Sequence, residues 1–499
     1  MSALVLVALP TAALLVALLS AWGLHRVWLV ARLPRPRPPT PPASLEGPLP
    51  VVTVQIPVFN EAAVVERAVD AACALKWPAG RLEVQVLDDS TDETTRLAEA
   101  ACARARLRGA DAQVLHRASR DGYKAGALAA ALPRARGSLI AIFDADFLPP
   151  PDFLQRAVPP LLADPGLGLV QARWGHLNRS ASWLTRAQGA LLDGHFCVEH
   201  AARAASGAFF NFNGTAGVWR RAAIEGGGGW SARSITEDLD LSYRSQLAGW
   251  RFHYDDALVV PAELPADARG FRVQQARWAA GTLQAARWLV PAVLRARLPV
   301  AVKAEALAHL GANLAWPGAA ALAILLPLAA PARAALPAGS WPWELGVMAL
   351  SVGATALYLG VAAHRAGRGA ARGLAELPVV LVVGAGLCLS QSVAVARGLF
   401  TGDRTFHRTP KAGTAGSAAE RPGRGPLPLA EALLAVWNLA GVVVSLRAGV
   451  PGAAPAMALF AAGLGLFSAA SVLPGRRPAP LRRSAAPAQP GSAPATSRP

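Results

Sequence analysis

Asp144 and Asp146 stand one position apart at the end of the apolar run LIAIFDADF, residues 139–147. In an extended chain residues i and i+2 share a face, so these two carboxylates can grip one divalent cation, a hard ion that prefers oxygen and neutralises phosphate. The same pair could equally cap a following helix. A second apolar run, 82–87, also ends in carboxylates, Asp88-Asp89-Ser90-Thr91-Asp92, and Lys124 opens a helical stretch in Gly122-Tyr123-Lys124-Ala125-Gly126. A carboxylate can accept the N–H of a uracil or guanine ring, a lysine can meet phosphate, and a cation on D-x-D can bridge two phosphates. Together these groups describe a nucleoside-diphosphate site. No G-x-G-x-x-G or G-x-x-x-x-G-K-[ST] accompanies them, which disfavours a dinucleotide fold and a P-loop ATPase.

Such groups converge only if the strands bearing them run side by side. Strand-like runs at 51–58, 82–87, 112–115 and 139–147 alternate with helical patterns, the first at 62–75. That alternation predicts an α/β domain with a mostly parallel sheet, its ligand loops gathered at the carboxyl edge. The rest of the chain is of another kind. Its 499 residues are 53% hydrophobic, with mean hydropathy +0.32 and formal charge +17. These values fit neither a disordered chain nor an ordinary soluble enzyme. The arginines gather beside apolar runs, which points to cytoplasmic membrane faces and away from nucleic acid. Cys73, Cys102, Cys197 and Cys388 are scattered without C-x-x-C spacing, so neither a zinc site nor a disulfide framework is expected, and the compartment is reducing. Residues 3–24 are long and apolar enough to cross a bilayer. Because Arg26, Arg32, Arg35 and Arg37 follow this run, it predicts an uncleaved anchor with its N-terminus outside.

The stretches IPVFNE, LDDSTDET, YKAGAL and FDADF resemble the nucleotide-sugar half of family-2 glycosyltransferases with a GT-A fold. QARWGHLNRS, LDGHF, FFNFNGTAGVWRRAAIE, TEDLDLSYRSQLAGW and QQARWAAG narrow the resemblance to the membrane-embedded processive branch. This branch includes plant cellulose-synthase-like A mannan synthases and C glucan synthases with their bacterial relatives and, more distantly, bacterial cellulose synthase. The resemblance is close over residues 50–288 and loose beyond.

It implies that Asp144 and Asp146 hold Mg2+ or Mn2+, and that Pro57, Asn60, Glu61, Asp88, Asp89, Lys124, Asp144 and Arg277 bind the nucleotide sugar. The base that takes the acceptor proton is carried by the family's T-E-D, here Thr236-Glu237-Asp238, and the matching residue is Asp238. Asn213, Gly214, Thr215, Gln274 and Trp278 would meet the acceptor, with Trp174 and His195 bordering the site. The chemistry of Gln274-x-x-Arg277-Trp278 suits this: a guanidinium can neutralise a departing diphosphate and an indole offers a sugar ring a flat face. The same residues, with Phe271, Arg272, Arg287 and Trp288, also suit an amphipathic interfacial helix. Gly226 to Gly229 has no assigned role.

The domain plan is an anchor at 1–33, a Pro-rich linker at 34–50, a cytoplasmic GT-A domain at 51–270, interfacial helices at 271–300, a membrane region at 301–475 and a disordered tail at 476–499. Apolar stretches lie at 304–330, 345–363, 377–396, 429–444 and 453–473. Were all of them spans, the basic loop 397–425 would lie outside, against the positive-inside rule. Residues 377–396, rich in Gly and Ser, are therefore expected as an interfacial helix, which leaves five spans and a cytoplasmic C-terminus. In the loop, Phe406, Thr409 and Lys411 resemble the gating loop of bacterial cellulose synthase. The expected function is an inverting, processive transferase that polymerises hexose from GDP-mannose or UDP-glucose into a β-linked, β-1,4 polysaccharide and passes it across the membrane. The alternative is transfer of a single hexose to a lipid. Donor, growing polymer and bilayer are the expected partners, and nucleic acid is not.

Overall fold

The computed structural model describes residues 3–35, 47–334, 342–405 and 426–472. Phe406, Thr409 and Lys411 lie outside the described residues. The soluble domain carries a seven-stranded sheet formed by β1 (Val52–Val58), β2 (Leu82–Asp88), β3 (Asp111–His116), β4 (Leu139–Ile142), β5 (Leu167–His176), β6 (Gly217–Arg220) and β7 (Arg251–Ala262). Their order is β3-β2-β1-β4-β6-β5-β7, with β6 antiparallel to both neighbours and every other pairing parallel. This is the mostly parallel sheet expected from the alternation of strands and helices, in the GT-A arrangement that the resemblance implies.

Val52, Val54, Ile56 and Val58 are buried in one core cluster with Val84, Val86 and Phe143. The other face of these strands is polar yet equally buried, and its groups pair across strands: Thr53 Oγ1 donates to Glu83 at 2.6 Å and the Gln55 amide to Gln85 at 3.1 Å. Leu87, Leu128, Ile140, Ile142 and Trp219 close the opposite core.

The strand carrying the D-x-D ends sooner than its apolar run suggested. Phe143 N–H still pairs with Gln55 O at 3.1 Å, but Asp144 N–H turns to Thr215 Oγ1 at 2.9 Å, and Phe147 N–H closes a turn on Asp144 O at 2.9 Å. The two aspartates therefore sit on a turn, and a shared strand face is not what brings them together.

Among the described residues six helices are long and apolar enough to cross a membrane: Val7–Ala31, Val300–Pro331, Gly346–Arg365, Ala370–Phe400, Leu427–Arg447 and Pro451–Val472. Several ends are tied to one another and to the soluble domain. His25 Nε2 lies 2.8 Å from Glu305, Arg365 reaches Asp256 at 2.9 Å, Arg272 reaches Glu431 at 3.0 Å, and Arg269 donates to Ser471 O at 3.1 Å. The 31-residue helix Ala370–Phe400 meets this side at both ends. Arg368, just before it, pairs with Asp193 at 2.7 Å, and Asp403, just after it, accepts from Gln284 at 2.7 Å through its carbonyl. Glycines allow the close approaches: a side chain on Gly386 would strike Gly463 O, and one on Gly398 would strike Ala280. The segment expected at 271–300 is one helix, Ala268–Arg295, started by the side chain of Asp267, which accepts from Gly270 N at 2.7 Å.

Candidate active site

A single trough at the carboxyl edge of the sheet gathers the motifs. Pro57, Glu61, Asp89, Lys124, Asp144 and Asp146 line one part, and Asn213, Gly214, Asp238, Gln274, Arg277 and Trp278 line the rest. Lys124 comes from the first turn of Tyr123–Ala131, after Gly122 in the left-handed region at φ 70°. Its ammonium donates to Asp144 Oδ1 at 2.5 Å and to Gly214 O at 2.8 Å. Burial alone would lower Lys124, but Asp144 and Glu237 outweigh it and hold the ammonium above its ordinary pKa.

Asp238 lies in the first turn of the helix Glu237–Leu247, beside Glu237. Burial, then the neighbouring Glu237 carboxylate, pushes Asp238 up to about 7, with Lys124 and Arg277 pulling the other way. A carboxylate tuned to that range can accept a proton near neutrality. The third acidic residue of this turn, Asp240, is structural: fully buried, it accepts from Trp288 Nε1 at 2.8 Å and pairs with Arg244 at 2.8 Å. Arg244 continues to the carbonyls of Gly227 and Gly229, with Gly228 and Gly229 in the left-handed region. This gives the glycine run a role: a tight turn that presents carbonyls to the guanidinium behind the T-E-D.

Gly214 faces Asp238 at close quarters. Its φ is +79°, and an added Cβ would stand 3.0 Å from Asp238 Oδ2 and 3.4 Å from Lys124 Nζ. Gly214→Ala should cost about 1–2 kcal/mol of stability from the left-handed backbone. By shifting the base it should also lower kcat about 10- to 100-fold, as read by thermal unfolding and initial rates.

Three expected contacts with ligand are not on the cavity wall. Asp88 is fully buried; its oxygens accept from Ser90 N, Thr95 Oγ1 at 2.6 Å and His116 Nδ1 at 2.8 Å. Burial alone would raise Asp88, but these hydrogen bonds prevail and hold it below the usual carboxylate range. Asp88 thus shapes the loop that presents Asp89, which itself receives a two-pronged contact from Arg117 at 2.6 and 2.7 Å. Asn60, at φ 53°, latches the same loop by accepting from Thr91 N at 2.9 Å. Thr215 is buried and holds the D-x-D turn through Asp144 N–H.

The trough also has members that motif reading passed over. Arg120 lies 3.4 Å from the Phe59 ring centre, and Glu263 pairs with Arg67 at 2.8 Å. The only signal for Arg120 was a basic residue just before Y-K-A-G. Trp174, predicted as a border residue, lines the trough with its ring centre 6.4 Å from that of Trp278. His195 lies behind the wall and touches Asn213 at 2.9 Å.

Two carboxylates on one turn, with an ammonium already seated on one of them, fit a divalent cation. Asp144 and Asp146 would hold it, and its remaining oxygen ligands would come from the diphosphate and water. A mostly parallel sheet with this acidic edge, a tuned carboxylate and an Arg-Trp pair at one trough defines a nucleotide-sugar transferase domain. Residues 49–281 match the family model described as glycosyltransferase like family 2, and the domain is a family-2 glycosyltransferase domain.

Glucomannan 4-beta-mannosyltransferase 2 of Arabidopsis thaliana is 48% identical over 250 residues, 49% of this chain and 47% of that protein. Probable glucomannan 4-beta-mannosyltransferase 3 of Oryza sativa subsp. japonica is 48% identical over 236 residues, 46% of this chain and 43% of that protein. The chain thus spans less than half the length of these relatives. Among solved structures, mannosyltransferase PcManGT from Pyrobaculum calidifontis, in complex with GDP-Man and Mn2+, superposes with TM-score 0.54 at 25% identity, covering 71% of this chain and 97% of that one.

Proposed function

We propose that this chain is a membrane-embedded, inverting hexosyltransferase that extends a β-1,4-linked mannan- or glucomannan-type polymer from a nucleotide-diphosphate hexose. The observation that carries the reading is the meeting of Asp144, Asp238 and Trp278 at one trough. Similarity to glucomannan mannosyltransferases supports a β-1,4 product, and likeness to a structure holding GDP-Man supports GDP-mannose as the donor. Asp238 takes the acceptor hydroxyl's proton as that oxygen attacks the anomeric carbon from the face opposite the diphosphate. An α-linked donor therefore gives a β-linkage. Arg277 and Lys124 face the charge that develops on the diphosphate. A divalent cation on Asp144 and Asp146 supplies Lewis-acid stabilisation of the same group when bound. Trp278 and Trp174 offer apolar faces to the acceptor rings, and Asn213 a carboxamide to their hydroxyls.

The membrane reading is five spans with Ala370–Phe400 lying along the cytoplasmic surface. A helix of 31 residues is about 46 Å long, and contacts at both its ends with the catalytic side are hard to reconcile with a crossing. This path leaves the N-terminus outside and the C-terminus inside. Polymer leaves between the spans.

Purified protein given labelled GDP-mannose or UDP-glucose with Mn2+ should yield a long product cut by β-1,4-specific hydrolases. A single glycolipid with no polymer would replace this reading with transfer of one hexose to lipid.

A further inference from the structure

The helix Trp183–Gly194 does not continue as an α-helix. It passes into a six-residue π-helical turn, His195–His200, before Ala201–Ala205 resumes the α form. π-Turns waste packing and concentrate where a side chain must be re-aimed. Here the consequence is definite. An α-turn of 3.6 residues would set positions five apart on different faces, whereas i→i+5 geometry aligns them.

His195 and His200 both reach Asn213. His195 Nε2 lies 2.9 Å from Asn213 Oδ1, and His200 Nε2 lies 2.9 Å from Asn213 Nδ2. His200 is fully buried; burial, then nearby His195, holds it well below its ordinary pKa, so it serves as a neutral imidazole. Its Nδ1 has no partner, and its Nε2 also lies 2.9 Å from Asn211 O, so one ring nitrogen meets both Asn211 and Asn213. Asn213 itself lines the trough. With an imidazole at each end the carboxamide is held in place, and its Nδ2 has a further contact of 3.5 Å with Asn211 O to give up to a hydroxyl.

The same turn is wired to the membrane helices. His195 Nδ1 lies 3.4 Å from Glu199, and Glu199 Oε1 accepts from the Tyr358 hydroxyl of the helix Pro342–Arg365 at 2.8 Å. Gly194 leaves room for that tyrosine, since an added Cβ would stand 2.3 Å from its ring. Arg203 joins Glu199 at 3.5 Å to Glu305 at 2.8 Å, and Glu305 meets His25 at 2.8 Å.

We propose that the π-turn His195–His200 is a clamp that fixes Asn213 against the acceptor sugar and keys it, through Glu199 and Tyr358, to the membrane helix Pro342–Arg365. His195, His200 and Tyr358 are positioning residues that act through Asn213. The inference rests on the transferase reading, and its test separates the two. Full-length protein is assayed with nucleotide hexose and a β-1,4-linked tetrasaccharide acceptor, following both transfer and donor hydrolysis.

His195→Ala should raise the acceptor KM about tenfold, the effect of one lost hydrogen bond in a fixed site. The donor KM and donor hydrolysis should not move, and His195→Gln should recover part of the loss. Tyr358→Phe, which removes one hydroxyl, should raise the acceptor KM about threefold and shorten the polymer. A wild-type acceptor KM in both His195→Ala and Tyr358→Phe overturns the clamp. So does an equal rise in donor and acceptor KM, the mark of general loosening. Should His195→Ala fail to fold, the acceptor KM of Tyr358→Phe alone decides. Absence of any donor turnover by the unmodified protein would instead sink the transferase reading, before a variant is made.

Discussion

Asp238→Asn should lower kcat by about 10²- to 10⁴-fold, the range for loss of a positioned general base, while nucleotide-sugar binding persists. Because the unmodified carboxyl is pushed up to about 7, it must lose its proton to act. Activity should therefore rise as pH increases through about 7 and fall on the acid side. Burial and Glu237 are the two leading causes of that elevation. Glu237→Gln removes a like charge, so it should move the acid limb to lower pH. An unmoved limb in this variant would show that Asp238 is not the group being read.

The stability sign is opposite to that of most structural carboxylates. A folded-state pKa raised above the ordinary value near 3.8 means that the unfolded chain binds fewer protons between about pH 4 and 7. Folding stability from this group falls over that window as pH rises. Asp238→Asn should thus match or exceed the unmodified thermal midpoint at pH 8 even as catalysis is lost. Loss of both stability and activity would point to a structural role, of the kind that Asp240 holds with Trp288 and Arg244.

Withdrawing divalent metal should have an effect of similar size. Without a cation the diphosphate would have to leave against Lys124, Arg277 and Arg120 among the described residues, and Lys124 is held by Asp144 at 2.5 Å. Chelation should abolish transfer and Mn2+ should restore it. Asp146→Ala should cost about 10²-fold or more in kcat, on the scale of losing one preorganised electrostatic partner. Lys124→Met should separate the two cations: it should weaken donor binding yet leave metal affinity intact or tighter, since it frees an oxygen of Asp144. Titration calorimetry with Mn2+ alone and with nucleotide diphosphate would read both effects. Retained activity in chelator would remove the metal from the mechanism.

Much of this site was legible in the residues because its chemistry is local. The D-x-D, the T-E-D and the Q-x-x-R-W each carry an acid or a cation at fixed spacing beside an element end, and all three line one trough. The alternation that predicted a parallel sheet is also local, since a strand, its turn and its helix are contiguous. Reading failed where one side chain's use depends on distant neighbours. Asp88 and Asp89 are adjacent and alike, yet Asp88 is sealed by Thr95 and His116 while Asp89 faces the trough. Thr215 sits within the predicted acceptor wall but turns inward to hold Asp144.

Sequence by itself determined the charge types, the strands and helices that carry them, and the long apolar segments, because each follows from composition and period along a few consecutive residues. Tertiary structure alone decided which carboxylate faces the ligand, how the glycine run meets Arg244, that a π-turn aims two imidazoles at one carboxamide, and that both ends of Ala370–Phe400 return to the catalytic side. Those outcomes depend on groups tens to hundreds of positions apart competing for the same hydrogen bonds and the same space, and no local pattern records who wins.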